Sequence, residues 1–168
     1  MKCDQVIHKI RDDRLDPPRR NQPYQSMSLL AAAHLAITAA YCALLWVVQV
    51  VIYPQFHRVP ATAFADYHRE HCARTGWVVG PLFVAEGLTA LALAWILWDV
   101  QPFLQTASIA LFLTGHGITF ALFVPLHRQL QRGPVTKGDL ARAVRLNWLR
   151  VGAAMARMGV VLGVVVTA

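Results

Sequence analysis

The stretch LLAAAHLAITAAYCALLWVVQVVIY, Leu29 to Tyr53, decides the fold. It carries no Asp, Glu, Lys or Arg in 25 residues, and a helix of about 20 apolar residues already crosses the hydrocarbon core of a bilayer. Three more apolar blocks follow. One runs from about Trp77 to Trp98 with Glu86 as its only charge, and the next from about Phe103 to Val124 with none. The last, from about Asn147 to Thr167, holds Arg150 near its start and Arg157 in its middle. The whole chain has the same character: of 168 residues, 56% are hydrophobic and 15% charged, and the mean hydropathy is +0.41. That is the composition of a membrane protein.

Backbone groups in lipid must be satisfied within the protein, which leaves helices or closed barrels. The blocks show neither Asn-Gly or Asp-Gly hairpin turns nor period-two alternation, so a barrel is disfavoured. The expected fold is all-α: an antiparallel four-helix transmembrane bundle with spans at about 29–53, 77–98, 103–124 and 147–167 and a short interfacial helix between spans one and two. Residues 27–168 form one membrane domain with no internal repeat.

The first 26 residues differ, with six Lys/Arg, four Asp, three prolines and no apolar stripe long enough to pack. They read as a disordered tail. Met27 opens a stretch that resembles a natural start, so the tail is either native or an upstream extension. Neither start has the cleavage pattern of a signal peptide. Cys3, Cys42 and Cys72 form no C-x-x-C pair, so a disulfide framework is not expected.

Basic residues near the spans set orientation. Arg58, Arg69 and Arg74 lie between spans one and two; Arg128, Arg132, Lys137, Arg142 and Arg145 lie between spans three and four; the turn between spans two and three has none. Both basic loops are therefore expected in the cytoplasm of a multi-pass inner-membrane protein, with the bilayer as partner. The pI near 9.9 follows from this topology and from contact with anionic lipid. No nucleic-acid motif is present.

Depth can be counted from the span ends at about 1.5 Å per helical residue. Glu86 lies nine residues past Trp77, His116 eleven before His127 and Arg157 ten past Asn147, so all three fall about 15 Å in. A lone charge there costs about 2.5–3.5 kcal/mol on insertion scales. A buried Glu86–Arg157 ion pair with His116 beside it is the expected answer. Such a pair locks helix register or serves as a relay or anchor; His116 is alternatively a neutral core histidine bonded to Thr114 or Thr119.

A second polar layer gathers at the cytoplasmic rim. In the segment from Pro60 to Arg74, Thr62 can cap a helix on which Phe64, Tyr67, His68 and His71 share one face, with Asp66, Arg69, Glu70 and Arg74 turned away. Gln49 and Tyr53, four apart at the end of span one, look into the same pocket, where Pro54 ends or kinks the helix. Trp46, Gln49, Tyr53 and Tyr67 are its expected walls. His68, His71, His127, Asn147 and Arg150 are the candidate catalytic residues, the histidines as bases and Asn147 and Arg150 as anion-stabilising donors. His68 and His71, with His127 or His57, can also ligate a transition metal, although H-x-x-H on a helix is common and no cofactor is required by the sequence. Kinase, hydrolase and thiol chemistry lack their motifs.

Taken together, W-x-x-Q-x-x-x-Y-P-x-F at Trp46 to Phe56, F-x-x-Y-H-x-x-H at Phe64 to His71, Pro81 with Glu86, V-P-L-H-x-x-L at Val124 to Leu130 and N-W-x-R at Asn147 to Arg150 resemble a bacterial family of small four-span integral membrane proteins of unknown function. The resemblance covers nearly everything after Met27; Ala153 and Ala154 stand where that family often has an aromatic residue. More distantly, the end of span three and the opening of span four are similar to anthrone-oxygenase-like membrane proteins, which implies cofactor-independent oxidation of polycyclic phenols by analogy alone. Two readings follow: a protein that binds or oxidises a small apolar or aromatic compound, or a structural or accessory protein whose buried polar residues only fix helix packing. Oligomeric state is not legible.

Overall fold

The computed structural model describes residues 22–132 and 134–167. Four long helical rods account for nearly all of them, and no strand occurs among the described residues. The first rod, α1, is Gln22–Val47 continued by a π turn, Val48–Ile52, and a last turn, Tyr53–Phe56. Rod α2 is Ala61–Leu97. Rod α3 is Pro102–Ile118 with a π turn, Thr119–Phe123, and a tail, Val124–Leu130; α4 is Lys137–Thr167. Of the tail expected over 1–26, residues 22–26 are helical and belong to α1; the remainder, with Cys3, lies outside the described residues.

Local chemistry explains where the rods start. Pro60, at φ −56° and ψ 139°, holds the chain extended before α2, and Pro102 occupies the first turn of α3, where its missing N–H is not needed. Before α4, Thr136 and Asp139 cap each other: the Asp139 amide donates to Thr136 Oγ1 at 3.2 Å and the Thr136 amide to Asp139 Oδ2 at 3.0 Å.

The expected separate interfacial helix does not form. Residues 61–76 are the first turns of the 37-residue α2, and Thr62 lies inside its first turn with no capping bond. Gly76, Gly80 and Pro81 weaken the helix locally, but breaking it would leave several amides and carbonyls unpaired, a larger loss. At about 1.5 Å per residue α2 is about 55 Å long, well beyond the roughly 30 Å hydrocarbon core, so its first turns reach past that core.

Of the two outcomes expected at Pro54, an end or a kink, the helix does not end: α1 runs on to Phe56, and α3 likewise runs past Pro125 to Leu130. A proline ring collides with the carbonyl four residues earlier and cannot donate to it. Each rod adopts a π turn immediately before its proline, with the Tyr53 amide bonded to the Val48 carbonyl and the Val124 amide to the Thr119 carbonyl. The wider turn keeps the rod continuous and shifts the faces of the residues beyond it.

Side-chain contacts fix which ends meet. His34 near the start of α1 bonds Thr89 late in α2; His68 early in α2 bonds His127 late in α3; Gln101 at the head of α3 bonds Thr167 at the end of α4; Asn147 early in α4 bonds Gln49 late in α1. Core clusters form around Phe56, Phe64, Phe123 and Leu130 at the histidine end, Tyr41 and Leu45 midway, and Leu93 and Val164 at the other end. The outer surface is apolar: Trp95 is 90% exposed and Trp77 83%. A surface of that kind belongs in lipid. All four rods are long and apolar enough to cross a membrane, so the chain is a multi-pass, all-α membrane protein.

Candidate functional site

Apart from the His34–Thr89 and Gln101–Thr167 bonds toward the other end, the buried polar groups fall into two layers beneath a histidine cluster. In the deeper one, Arg157 Nη1 of α4 lies 3.0 Å from Glu86 Oε1 of α2, and His116 Nε2 of α3 lies 3.7 Å from Glu86 Oε2. Glu86 is 1% exposed and Arg157 3%. The contact is electrostatic: the guanidinium N–H groups do not point along a hydrogen-bond axis. Arg157 also sits 4.6 Å over the Phe112 ring, a second source of stabilisation for a buried cation. His116 accepts neither Thr114 nor Thr119 as partner. Its Nδ1 donates to the Phe112 carbonyl at 2.7 Å, which turns Nε2 toward Glu86, while both threonine hydroxyls donate to carbonyls of their own helix. The space beside this triad is only ≈ 10 Å³, the volume needed for about one water and too small for a substrate.

The second layer lies about two to three turns closer to the histidine end, since Arg150 and Asn147 precede Arg157 on α4. Asn147 Nδ2 donates to Gln49 Oε1 at 2.8 Å, and Asn147 Oδ1 accepts from Arg150 Nη1 at 3.3 Å. Gln49 is therefore tolerated in an apolar helix because α4 supplies its partner; unpaired, its amide would cost about 1–3 kcal/mol. Arg150 is held from two sides, by Asn147 and by the face of Phe123, 4.5 Å from its guanidinium carbon.

Above this network His68 Nε2 and His127 Nδ1 are 2.9 Å apart, and Cys72 Sγ is 3.6 Å from His68 Nε2. His68 is fully buried, with Phe64 stacked on it and Phe56 edge-on. His71 stacks on His68 with ring centroids 5.9 Å apart. Beside them opens a cavity of ≈ 390 Å³, bordered by Tyr53, His71, Cys72, Phe123, His127 and Arg150, with aliphatic side chains such as Leu44, Val48 and Val79 and the polar Thr75, Thr119, Arg128 and Gln131 completing its wall.

Comparisons of the chain with protein-family models, curated proteins and solved structures find no match. What the site can do therefore rests on its geometry.

The candidate residues do not all converge. His71, His127, Arg150 and Tyr53 border the cavity; His68 stands behind His127, and Asn147 and Gln49 lie beneath, acting on the cavity through Arg150. Trp46 and Tyr67 are not cavity walls. Trp46, 40% exposed, meets Trp148 edge-on and donates to Met155 Sδ on the outer face. Tyr67, 42% exposed, borders a shallow cleft with Val50 and Pro54. His57 is exposed. Asp66 and Arg69, and Glu70 and Arg74, pair with each other on the outward face of α2. Sequence reasoning missed Cys72 and Phe123. The signal for Cys72 was its spacing of four from His68, which puts both on one helix face.

Proposed function

We propose that the chain is a bacterial inner-membrane protein, an antiparallel four-span bundle with both basic loops in the cytoplasm. In this reading it takes a small apolar or aromatic compound into the cavity at the histidine end. The observation that carries the reading is the cavity itself. Its ≈ 390 Å³ falls in the range of small-molecule sites, about 300–1,000 Å³, and such sites combine apolar walls with a few convergent polar groups. His127 serves as base for a phenolic hydroxyl, its ring oriented by the bond to His68. Arg150, clamped by Asn147 and Phe123, stabilises the resulting anion. The likeness to anthrone-oxygenase-like proteins extends binding to oxidation of the phenol, with dioxygen as oxidant; the likeness to the four-span bacterial family supports the architecture.

The test is ligand-induced thermal stabilisation of the detergent-purified chain by a series of naphthols. Wild type should gain stability with increasing naphthol. His127→Ala and Arg150→Ala should lose that gain while keeping near-normal melting of their own, since pocket residues are positioned for ligand at some expense of stability. A wild type indifferent to every naphthol would overturn the reading.

A second reading, a structural or accessory membrane protein, draws on one specific observation. The Glu86–Arg157–His116 layer is packed too tightly for a ligand, which suits a device that fixes helix register.

A further inference from the structure

We infer that His68, Cys72 and His127 form a transition-metal site of the zinc class that opens on the cavity. Among the described residues, these three present ligand atoms within 4.8 Å of one another. Zinc bonds of about 2.05 Å to nitrogen and 2.3 Å to sulfur, at a tetrahedral angle, separate two nitrogens by about 3.3 Å and a nitrogen from a sulfur by about 3.6 Å. The observed separations are 2.9 Å for His68 Nε2 to His127 Nδ1 and 3.6 Å for His68 Nε2 to Cys72 Sγ. The imidazoles need to part by a few tenths of an ångström, and His127 and Cys72, whose ligand atoms lie within 4.8 Å, close to about 3.6 Å by rotation of the cysteine side chain. Two imidazoles that merely shared a hydrogen bond would need no thiol beside them.

The scaffold is built before any ion arrives. His68 and Cys72 are four apart on α2, hence on one face, and His127 comes from α3 just past its π turn. Phe56 and Phe64 hold the His68 ring. A Cys/His₂ donor set is soft enough to prefer zinc or copper over magnesium or calcium. Three protein ligands leave a fourth position free, the arrangement of catalytic rather than structural zinc. Cys72 and His127 both border the cavity, which supplies the entry path and the space for that fourth ligand. Binding requires the thiolate, so each ion displaces the Cys72 proton to solvent; the proton shared by the two imidazoles moves to one of their outer nitrogens. Phe56 also lies edge-on to His71, and Tyr53 packs against Phe56.

This inference goes beyond the small-molecule reading and stands separately from it, because a bound ion makes His127 a ligand instead of a base. The full chain in mild detergent, freed of metal with a chelator, is titrated with cobalt(II) and then zinc. One cobalt should bind per chain, with a thiolate-to-cobalt charge-transfer band in the near ultraviolet and intense tetrahedral visible bands that zinc abolishes. Cys72→Ser should remove the charge-transfer band, and both Cys72→Ser and His127→Ala should weaken binding by more than about 100-fold, above the 10–100-fold cost of losing an outer partner. His57→Ala, at an exposed position, should bind as wild type does. Cobalt bound without a thiolate band in the wild type, or the absence of one-to-one binding, would overturn the site whether or not any variant folds. Naphthol stabilisation measured on the metal-free chain reports the small-molecule reading independently.

Discussion

Glu86→Ala is the sharpest perturbation available in the bundle. It removes the carboxylate 3.0 Å from Arg157 Nη1 and leaves a guanidinium that is 3% exposed with no other ion pair among the described residues. Breaking a buried pair by deleting one partner typically costs about 3–5 kcal/mol. An unpaired arginine at the centre of a span costs about 2.5–3.5 kcal/mol by insertion, so two independent scales agree on roughly 3–4 kcal/mol. The Phe112 ring beneath Arg157 is present in both forms and cannot make up the difference. The paired replacement Glu86→Leu with Arg157→Met should return stability to the wild-type level or above it, because apolar side chains of similar volume avoid the desolvation of both charges. Unfolding in mixed detergent micelles, followed by circular dichroism, measures both. A Glu86→Ala protein as stable as wild type, or a double variant as unstable as the single, would refute the reasoning.

Asn147→Ala should cost about 1–3 kcal/mol by stranding the Gln49 amide, and should also weaken naphthol stabilisation because Arg150 loses its clamp; unfolding and ligand titration on the same sample separate the two effects. Trp46→Ala should cost about 0.5–1.5 kcal/mol from the lost edge contact with Trp148 and leave ligand stabilisation unchanged. Thr136→Ala should lower stability by about 0.5–2 kcal/mol by breaking the reciprocal cap of α4, seen as a shift in the unfolding midpoint with no change at the cavity.

The four spans were legible because apolar runs of this length have one structural solution in lipid. Depth counted along straight rods put Glu86, His116 and Arg157 at one height, and His116 and Arg157 each come within 4 Å of Glu86 there. Rotation about a rod was far less legible. Where a helix is apolar on every face, periodicity cannot say which side looks inward, and Trp46 was misassigned to the pocket for that reason; Tyr67, on the amphipathic start of α2, lies at the edge of the face whose centre is Phe64 and His68 and is 42% exposed. The π turns shift faces further, and the sequence marks them only by a proline at the end of an apolar run. The long α2 was read as two helices because Asp66, Arg69, Glu70 and Arg74 set an amphipathic segment apart from the apolar block that begins at Trp77; one continuous helix keeps every backbone group between them paired. Cys72 escaped notice because no Cys-His arrangement was read in the sequence; its spacing of four from His68 puts the two on one helix face, and His127 joins them only through the packing of α3.

The placement of the histidine end is tested most directly by single cysteines introduced at Arg58, Val100 and Arg132 and labelled in intact bacterial cells with a membrane-impermeant maleimide, over the background of the native cysteines. The account predicts labelling at position 100 in intact cells, and at 58 and 132 only after the inner membrane is opened. Labelling of 58 and 132 from opposite sides would contradict a bundle whose His68 and His127 ends meet at one face.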